Sequence, residues 1–269
     1  MERLCLVFDM DEAILHYFEK TENENENRLN NEDSENELVD VINPGDRVSF
    51  RPGFWDFLKY VREQEGRIVI GMWTFGNKPY ATALRPYFDK DDMFEFLYTV
   101  EDQRPEMQNK ELTHVVENFD DDMRERLGIS TRLPKNIFLV DNRPENIYHE
   151  VNRKNGIMVE SYMGNNDSDT MFENLEKICE SLLSRGKIPS EYMQTFKIGN
   201  KKMVLASIGT KFDDGLRPIV HSKRSSRSRS RRRRRNTGGG SNSSGGDSNR
   251  KKTKKIMEKN IIKTKRLYN

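Results

Sequence analysis

The chain has 269 residues, of which 34% are hydrophobic and 33% charged, and its formal net charge is +2. This length suits one substantial domain with extensions. No apolar run approaches the roughly 20 residues that a membrane span requires, so we expect no membrane segment. The short apolar run at the start is soon interrupted by acids, which is untypical of a signal peptide. The two cysteines, Cys5 and Cys179, indicate a reducing compartment, and we predict an intracellular protein.

Residues 1–186 predict one α/β domain. An apolar strand comes first, and a loop rich in Asn and Glu, residues 19–38, follows it. We expect this acidic loop to be exposed and mobile because it offers little to bury. Strands and helices then alternate, which predicts a mostly parallel central sheet with helices on both faces, a three-layer Rossmann-like fold. The predicted strands are residues 4–8, 67–73, 136–141 and 156–160, and the predicted helices are residues 52–66, 110–119, 144–156 and 169–186.

The last third of the chain has a different character. Residues 187–220 carry no motif, and a hairpin or a docking segment would fit them. Residues 221–269 contain 18 Lys or Arg and two acidic residues, whereas the rest of the chain has 28 basic and 42 acidic residues. The Ser-Arg repeats, five consecutive arginines and Gly/Ser linker predict a disordered basic tail.

Arginine clusters such as those in the tail bind nucleic acid or acidic partners. The same residues are typical of nuclear targeting. We therefore predict a nuclear location, with the cytoplasm as the alternative. A tail that only shields the acidic body of the same molecule is a further interpretation of this pattern.

Polar side chains follow three of the predicted strands. Asp9 and Asp11 come after the first strand, and Thr74 and Asp141 lie at the ends of two others. In open α/β sheets, ligands bind at the carboxyl ends of the strands, so we expect these side chains at one site. One carboxylate can attack a phosphoryl group while another donates a proton. A phosphate beside two carboxylates needs a cation, which predicts Mg²⁺, with Asp141 as a further ligand.

The motifs together resemble a known family. The segment "LVFDMDEAILHY" is similar to the D-x-D-x-T signature of the haloacid dehalogenase superfamily, and more narrowly to the first motif of the RNA polymerase II C-terminal-domain phosphatases. The segments "RPGFWDFLKYV", "IGMWTFGNKPYA" and "IFLVDNRPENI" resemble later motifs of that family in the same order, the last one reading "ILDNSP" there. The resemblance covers residues 4–183 without the acidic loop and implies the superfamily's fold, with a small cap or none.

The resemblance implies catalytic roles for the aspartates. Asp9 would be the nucleophile that takes the phosphoryl group. Asp11 would protonate the leaving oxygen and then activate water. Mg²⁺ would be held by the side chains of Asp9 and Asp141 and by the backbone carbonyl of Asp11.

The same resemblance implies three phosphate-binding residues. Thr74 would donate a hydrogen bond to a phosphate oxygen, and the charge of Lys110 would stabilise the phosphate and the intermediate. Asn142 would lie beside both the phosphate and the metal. Lys78 is a weaker alternative to Lys110 because it follows Thr74 so closely.

The function implied is an Mg²⁺-dependent phosphatase of phosphoserine and phosphothreonine in proteins, acting as a monomer through an aspartyl-phosphate, with a polymerase-tail-like substrate as one option. Two departures stand against a full match. Ala13 replaces the usual Thr of the first motif, and the acidic loop replaces the segment that forms an apolar substrate pocket in the small phosphatases. Two alternatives remain: a weakly active scaffold that binds phosphopeptides or nucleic acid, and a phosphatase of nucleic-acid ends.

Overall fold

The computed structural model describes residues 3–18, 36–38, 46–129, 135–164, 166–198 and 201–209. The chain divides into two units, Met1–Pro218 and Ile219–Asn269, and the described residues all belong to the first. The predicted basic tail and residues 19–35 of the predicted acidic loop therefore lie outside the described residues. No helix in the described part of the chain is long and apolar enough to cross a membrane.

The strands are β1 to β10 and the helices α1 to α6, in chain order. The strands span Leu4–Phe8, Leu15–Phe18, Asn36–Leu38, Arg47–Phe50, Ile68–Trp73, Phe94–Tyr98, Ile137–Asp141, Gly156–Val159, Met193–Ile198 and Lys201–Ile208. The helices span Phe54–Glu63, Lys78–Phe88, Leu112–Glu117, Asp121–Leu127, Pro144–Tyr148 and Met171–Arg185.

Seven strands form the central sheet in the order β6-β5-β1-β7-β8-β10-β9. Every neighbouring pair is parallel except β9 and β10, which form an antiparallel hairpin at one edge. The predicted mostly parallel α/β sheet is confirmed. The hairpin lies in residues 187–220, for which the sequence offered no motif, so the sheet continues past residue 186.

Side chains of β1 alternate between two hydrophobic cores, because successive residues of a strand point to opposite faces of the sheet. Leu4, Leu6 and Phe8 pack in the core that includes α1, α2 and α6. Cys5 and Val7 pack in the core that includes α3, α4 and α5. The two cores give the described part of the first unit a three-layer structure, with β1 buried between them.

Two secondary-structure predictions are wrong in extent. The predicted helix 144–156 ends at Tyr148, because Asn152 turns its side chain back to the carbonyls of Lys110 and Asn146. The last three residues of the predicted acidic loop form the strand β3, which pairs with β4. A second small sheet, in the order β2-β4-β3, thus lies between β1 and α1 in the sequence.

Candidate active site

Three neighbouring strands bring the predicted site residues to one edge of the sheet. Asp9 directly follows β1, Thr74 directly follows β5, and Asp141 is the last residue of β7. The order β5-β1-β7 is parallel, so all three carboxyl ends meet. The Asp9 backbone N–H donates to the Val140 carbonyl at 2.9 Å, which continues the β1–β7 pairing one residue beyond the strand.

Lys110 is a fully buried cation between two of these strand ends. Its Nζ lies 2.6 Å from Asp9 Oδ1 and 2.9 Å from Asp141 Oδ2. The alternative, Lys78, is exposed at the start of α2, and its backbone N–H donates to Glu101. The structure therefore places Lys110, and not Lys78, among the site carboxylates.

A hydrogen-bonded asparagine holds the Lys110 and Asp141 segments together. The amide of Asn146 donates to Asp141 Oδ2 at 2.9 Å and accepts from the Lys110 backbone N–H at 3.0 Å. Asn152 donates to the Lys110 carbonyl and accepts from the Leu112 backbone N–H at 2.9 Å. Both asparagines are fully buried, so their amides satisfy polar groups that would otherwise be costly to bury.

Asp11 points to a different set of partners from Asp9. Thr74 Oγ1 donates to Asp11 Oδ2 at 3.1 Å, and the Tyr80 hydroxyl donates to Asp11 Oδ1 at 2.5 Å. Thr74 Oγ1 also accepts from the Gly76 backbone N–H at 2.9 Å. The Thr74 hydroxyl is thus committed to Asp11 in this structure, and its role in phosphate binding stays a prediction.

Burial dominates the electrostatics of the two aspartates. Desolvation raises the pKa of the Asp9 carboxyl, Lys110 opposes this rise, and the charge of Asp141 adds to it. Desolvation also raises the pKa of Asp11, against the hydrogen bonds from Tyr80 and Thr74. Burial therefore disfavours the charged forms of Asp9 and Asp11, and the positive charge of Lys110 offsets this effect only in part.

The oxygen-rich donor set fits Mg²⁺, which prefers carboxylates and carbonyls. Asp9 and Asp141 offer carboxylate oxygens. Asp11 offers its backbone carbonyl, because its carboxylate is turned to Thr74 and Tyr80. The described residues contain no group of three His, Cys, Asp or Glu side chains placed to hold a metal, so the predicted set does not assemble through side chains alone.

Asn142 lies at the border of the site. Its Nδ2 donates to Glu12 Oε2 at 3.1 Å and to Ser161 Oγ at 2.9 Å. Its Oδ1 is buried and has no hydrogen-bond partner. A buried amide oxygen without a donor is available to a cation or to a water molecule on one, which suits the predicted position beside the metal.

Arg51 fixes the loop that carries the aspartates. Its Nη1 donates to the carbonyl of Ala13 at 3.1 Å, and its backbone N–H donates to the carbonyl of Ile14 at 2.8 Å. Its guanidinium also forms a buried ion pair with Asp169 at 2.8 Å. Because Ala13 is fully buried and held through its carbonyl, this loop is ordered without the hydroxyl that the family motif carries there.

Sequence reasoning missed several residues of this site. Tyr80 lies in the motif "NKPYA", but the spacing did not show that it would reach Asp11. Asn146 and Asn152 gave no signal, because their bonds to Lys110 and Leu112 span 36 and 40 residues and join two separate segments. Arg51 was visible only as part of the "RPG" motif.

Comparison with known proteins gives one match at the level of sequence families. The family described as NLI interacting factor-like phosphatase matches residues 4–189. A search of the curated proteins found no match.

Several solved structures are similar in part. Fcp1, an essential RNA polymerase II CTD phosphatase, is 20% identical, with a TM-score of 0.38, covering 69% of this chain and 50% of that one. A fission yeast Fcp1 variant bound to beryllium fluoride is 20% identical, with a TM-score of 0.40 and coverages of 71% and 52%. A HAD-superfamily hydrolase from Geobacter sulfurreducens is 18% identical, with a TM-score of 0.28 and coverages of 42% and 47%. The chain spans about half the length of these Fcp1 chains.

Proposed function

The chain belongs to the NLI interacting factor-like phosphatase family, and on this premise we propose that it is an Mg²⁺-dependent phosphatase of phosphoserine and phosphothreonine in proteins. The observation that carries the proposal is the contact of Lys110 with both Asp9 and Asp141 at the carboxyl ends of β1 and β7. A structural ion pair has no need of two buried carboxylates around one ammonium group, since burying charges costs more than it returns unless they are fully paired.

In the first step, Asp9 attacks the phosphorus atom of the substrate. Its Oδ1 is held by Lys110 and by the Met10 backbone N–H at 2.9 Å, so Oδ2 is the oxygen that forms the new bond. The bond between phosphorus and the serine or threonine oxygen breaks. Asp11, whose pKa is raised by burial, gives its proton to that leaving oxygen.

In the second step, the aspartyl-phosphate on Asp9 is hydrolysed. Asp11, now ionised, takes a proton from a water molecule that attacks the phosphorus atom, and the bond to Asp9 breaks to release inorganic phosphate. Lys110 compensates the charge of the phosphoryl oxygens in both steps. When bound, Mg²⁺ would supply the remaining positive charge next to Asp9, Asp141 and the carbonyl of Asp11.

A macromolecular substrate is supported by the shape of the chain around the site. Between Thr74 and Lys110 the chain forms α2, β6 and their connections, without a large cap domain to enclose a small metabolite. An RNA polymerase II tail-like phosphopeptide is one candidate substrate. The basic tail would serve nuclear location and would bind a nucleic acid or another acidic partner, although it lies outside the described residues.

The test is phosphate release from p-nitrophenyl phosphate and from a phosphoserine peptide, with and without Mg²⁺. We expect turnover that requires Mg²⁺ and is lost in Asp9→Asn. Asp56→Asn is the matched control, because Asp56 is exposed on α1, and it should keep full activity. Equal, negligible rates in the wild type and in Asp9→Asn would contradict the proposal and favour the binding scaffold. Turnover of phosphorylated oligonucleotide ends but not of the peptide would favour the nucleic-acid alternative.

A further inference from the structure

Arg143 is an exposed cation beside the site, and the mechanism above does not use it. It follows Asp141 and Asn142 directly, and its backbone N–H donates to Asp141 Oδ1 at 2.7 Å. Its side chain is long and permanently charged.

An aromatic ring lies beside this arginine. The guanidinium carbon of Arg143 lies 5.4 Å from the centroid of the Phe75 ring, and Lys110 Nζ lies 5.3 Å from the same centroid. Phe75 directly follows Thr74 and is half-buried. Contact of a cation with a ring face is favourable, so Phe75 borders both the deep cation of the site and the exposed one.

The charge of Arg143 also acts on Asp11, because it lowers the pKa of that carboxyl against the larger effect of burial. In the proposed mechanism Asp11 protonates the leaving oxygen, so the rest of the substrate leaves past Asp11, where the charge of Arg143 is felt. An extended peptide advances about 3.3 Å per residue. Because Arg143 and Lys110 both contact the Phe75 ring, they can bind two anionic groups of one peptide that lie two or three residues apart.

We propose that Arg143, seated against Phe75, binds a second anionic group of the substrate, a phosphate or a carboxylate within a few residues of the phosphate that Asp9 attacks. This inference rests on the proposed function and names its substrate class, which is an acidic or multiply phosphorylated peptide. Guanidinium groups bind such anions through two parallel hydrogen bonds. Asp9, Asp11 and Asp141 repel a second negative charge on the substrate. A preference for a doubly charged peptide therefore requires Arg143 to outweigh this repulsion.

The experiment compares three synthetic peptides that share one phosphoserine. The first has no further charge, the second has another phosphoserine two residues away, and the third has Glu at that position. We expect kcat/KM of the wild type to be about 10-fold higher for the second peptide than for the first, which corresponds to about 1.4 kcal/mol. In Arg143→Ala this ratio should fall towards one, and Arg143→Lys should restore part of it.

Arg153→Ala is the matched control, because Arg153 is exposed before β8, at the opposite edge of the sheet. It should keep the wild-type ratio. Phe75→Leu should lower the ratio, since it removes the ring against which Arg143 lies. If kcat/KM for the Glu peptide equals that for the doubly phosphorylated peptide, the subsite binds carboxylates as well as phosphate. If it equals that for the neutral peptide, the subsite binds phosphate only.

A wild-type ratio near one, or a ratio that Arg143→Ala leaves unchanged, would overturn the inference. An Arg143-dependent preference for a 5′-phosphorylated oligonucleotide over all three peptides would overturn it as well. Binding of the same peptides to Asp9→Asn gives a readout without turnover. If no peptide is turned over but the doubly phosphorylated peptide binds with an affinity that depends on Arg143, the phosphatase function is rejected and the proposed subsite is supported.

Discussion

Lys110 Nζ lies 2.6 Å from Asp9 and 2.9 Å from Asp141, and all three residues are buried. One ammonium group therefore connects the ends of β1 and β7. In the proposed mechanism this charge would serve the nucleophile Asp9, and it also serves the folded state, because both carboxylates lose their direct cation when Lys110 is removed.

Lys110→Met should lower kcat about 10²–10³-fold, the cost of losing one preorganised charge in a catalytic site. It should also destabilise the protein by about 3–5 kcal/mol, since it leaves buried carboxylates unpaired. Steady-state kinetics and urea unfolding would measure the two effects. Lys110→Arg keeps the charge and serves as the second variant if the first does not fold. A comparable loss of kcat in Lys78→Ala, at an exposed lysine, would contradict this assignment.

Asn146→Ala should lower kcat about 10-fold or more by loosening Lys110 against Asp141, both of which Asn146 contacts. The lost hydrogen bonds should cost about 1–3 kcal/mol of stability, because they leave buried polar groups unsatisfied. Activity and thermal unfolding on the same samples would separate the two effects. The exposed Asn118, at the C-terminal cap of α3, gives the control variant Asn118→Ala. A pure stability effect, with kcat unchanged, would refute the positioning role.

Asp11→Asn should damage the reaction in a way that depends on the leaving group. A serine oxygen needs a proton as it leaves, whereas p-nitrophenolate leaves readily without one. We expect kcat/KM for a phosphoserine peptide to fall about 10²–10⁴-fold and that for p-nitrophenyl phosphate to fall much less. Tyr80→Phe removes one hydrogen-bond donor to Asp11. It should also lower kcat/KM more for the phosphoserine peptide than for p-nitrophenyl phosphate, but by a smaller factor. Equal losses for both substrates would exclude Asp11 as the proton donor.

Mg²⁺ should stabilise the folded protein even without substrate. It would reduce repulsion among the site carboxylates, and a ligand at 100 times its Kd adds about 2.7 kcal/mol of stability. Thermal unfolding over an Mg²⁺ titration would show a rising Tm in the wild type and in Asp56→Asn. The rise should be absent or much smaller in Asp141→Asn. An equal rise in Asp141→Asn would place the ion elsewhere.

Arg51→Ala should destabilise the protein by about 3–5 kcal/mol, because it leaves Asp169 as an unpaired buried charge. Arg51→Lys should restore little of this stability, since a lysine cannot donate all of the hydrogen bonds that the guanidinium donates to Asp169, Ala13 and Glu160. The control is Arg62→Ala, whose ion pair with Asp91 is exposed and should cost less than about 1 kcal/mol. Urea unfolding would measure all three variants. Similar costs for Arg51→Ala and Arg62→Ala would show that the buried pair has no special role.

Motif order made the family and much of the fold predictable. The resemblance to a phosphatase family is confirmed, and the predicted α/β sheet is confirmed by the strand order. The predicted strands and helices carry strong apolar periodicity, as Leu175, Ile178 and Leu182 do on α6. The strand β6 was not predicted, although the alternation of Phe94, Glu95 and Phe96 is typical of a strand. The roles of the site residues stay predictions until the variants are measured.

The amino-acid sequence alone shows which strands end in carboxylates. A strand that runs into Asp9 or Asp141 must reach the end of the sheet there, because an isolated charge cannot remain inside the core. The tertiary structure decided which groups meet there. Lys110 and Tyr80 reach the aspartates from other segments, over separations of 31 residues for Lys110 to Asp141 and 69 residues for Tyr80 to Asp11. Contacts of that range depend on how strands are ordered and helices packed, which local periodicity does not encode.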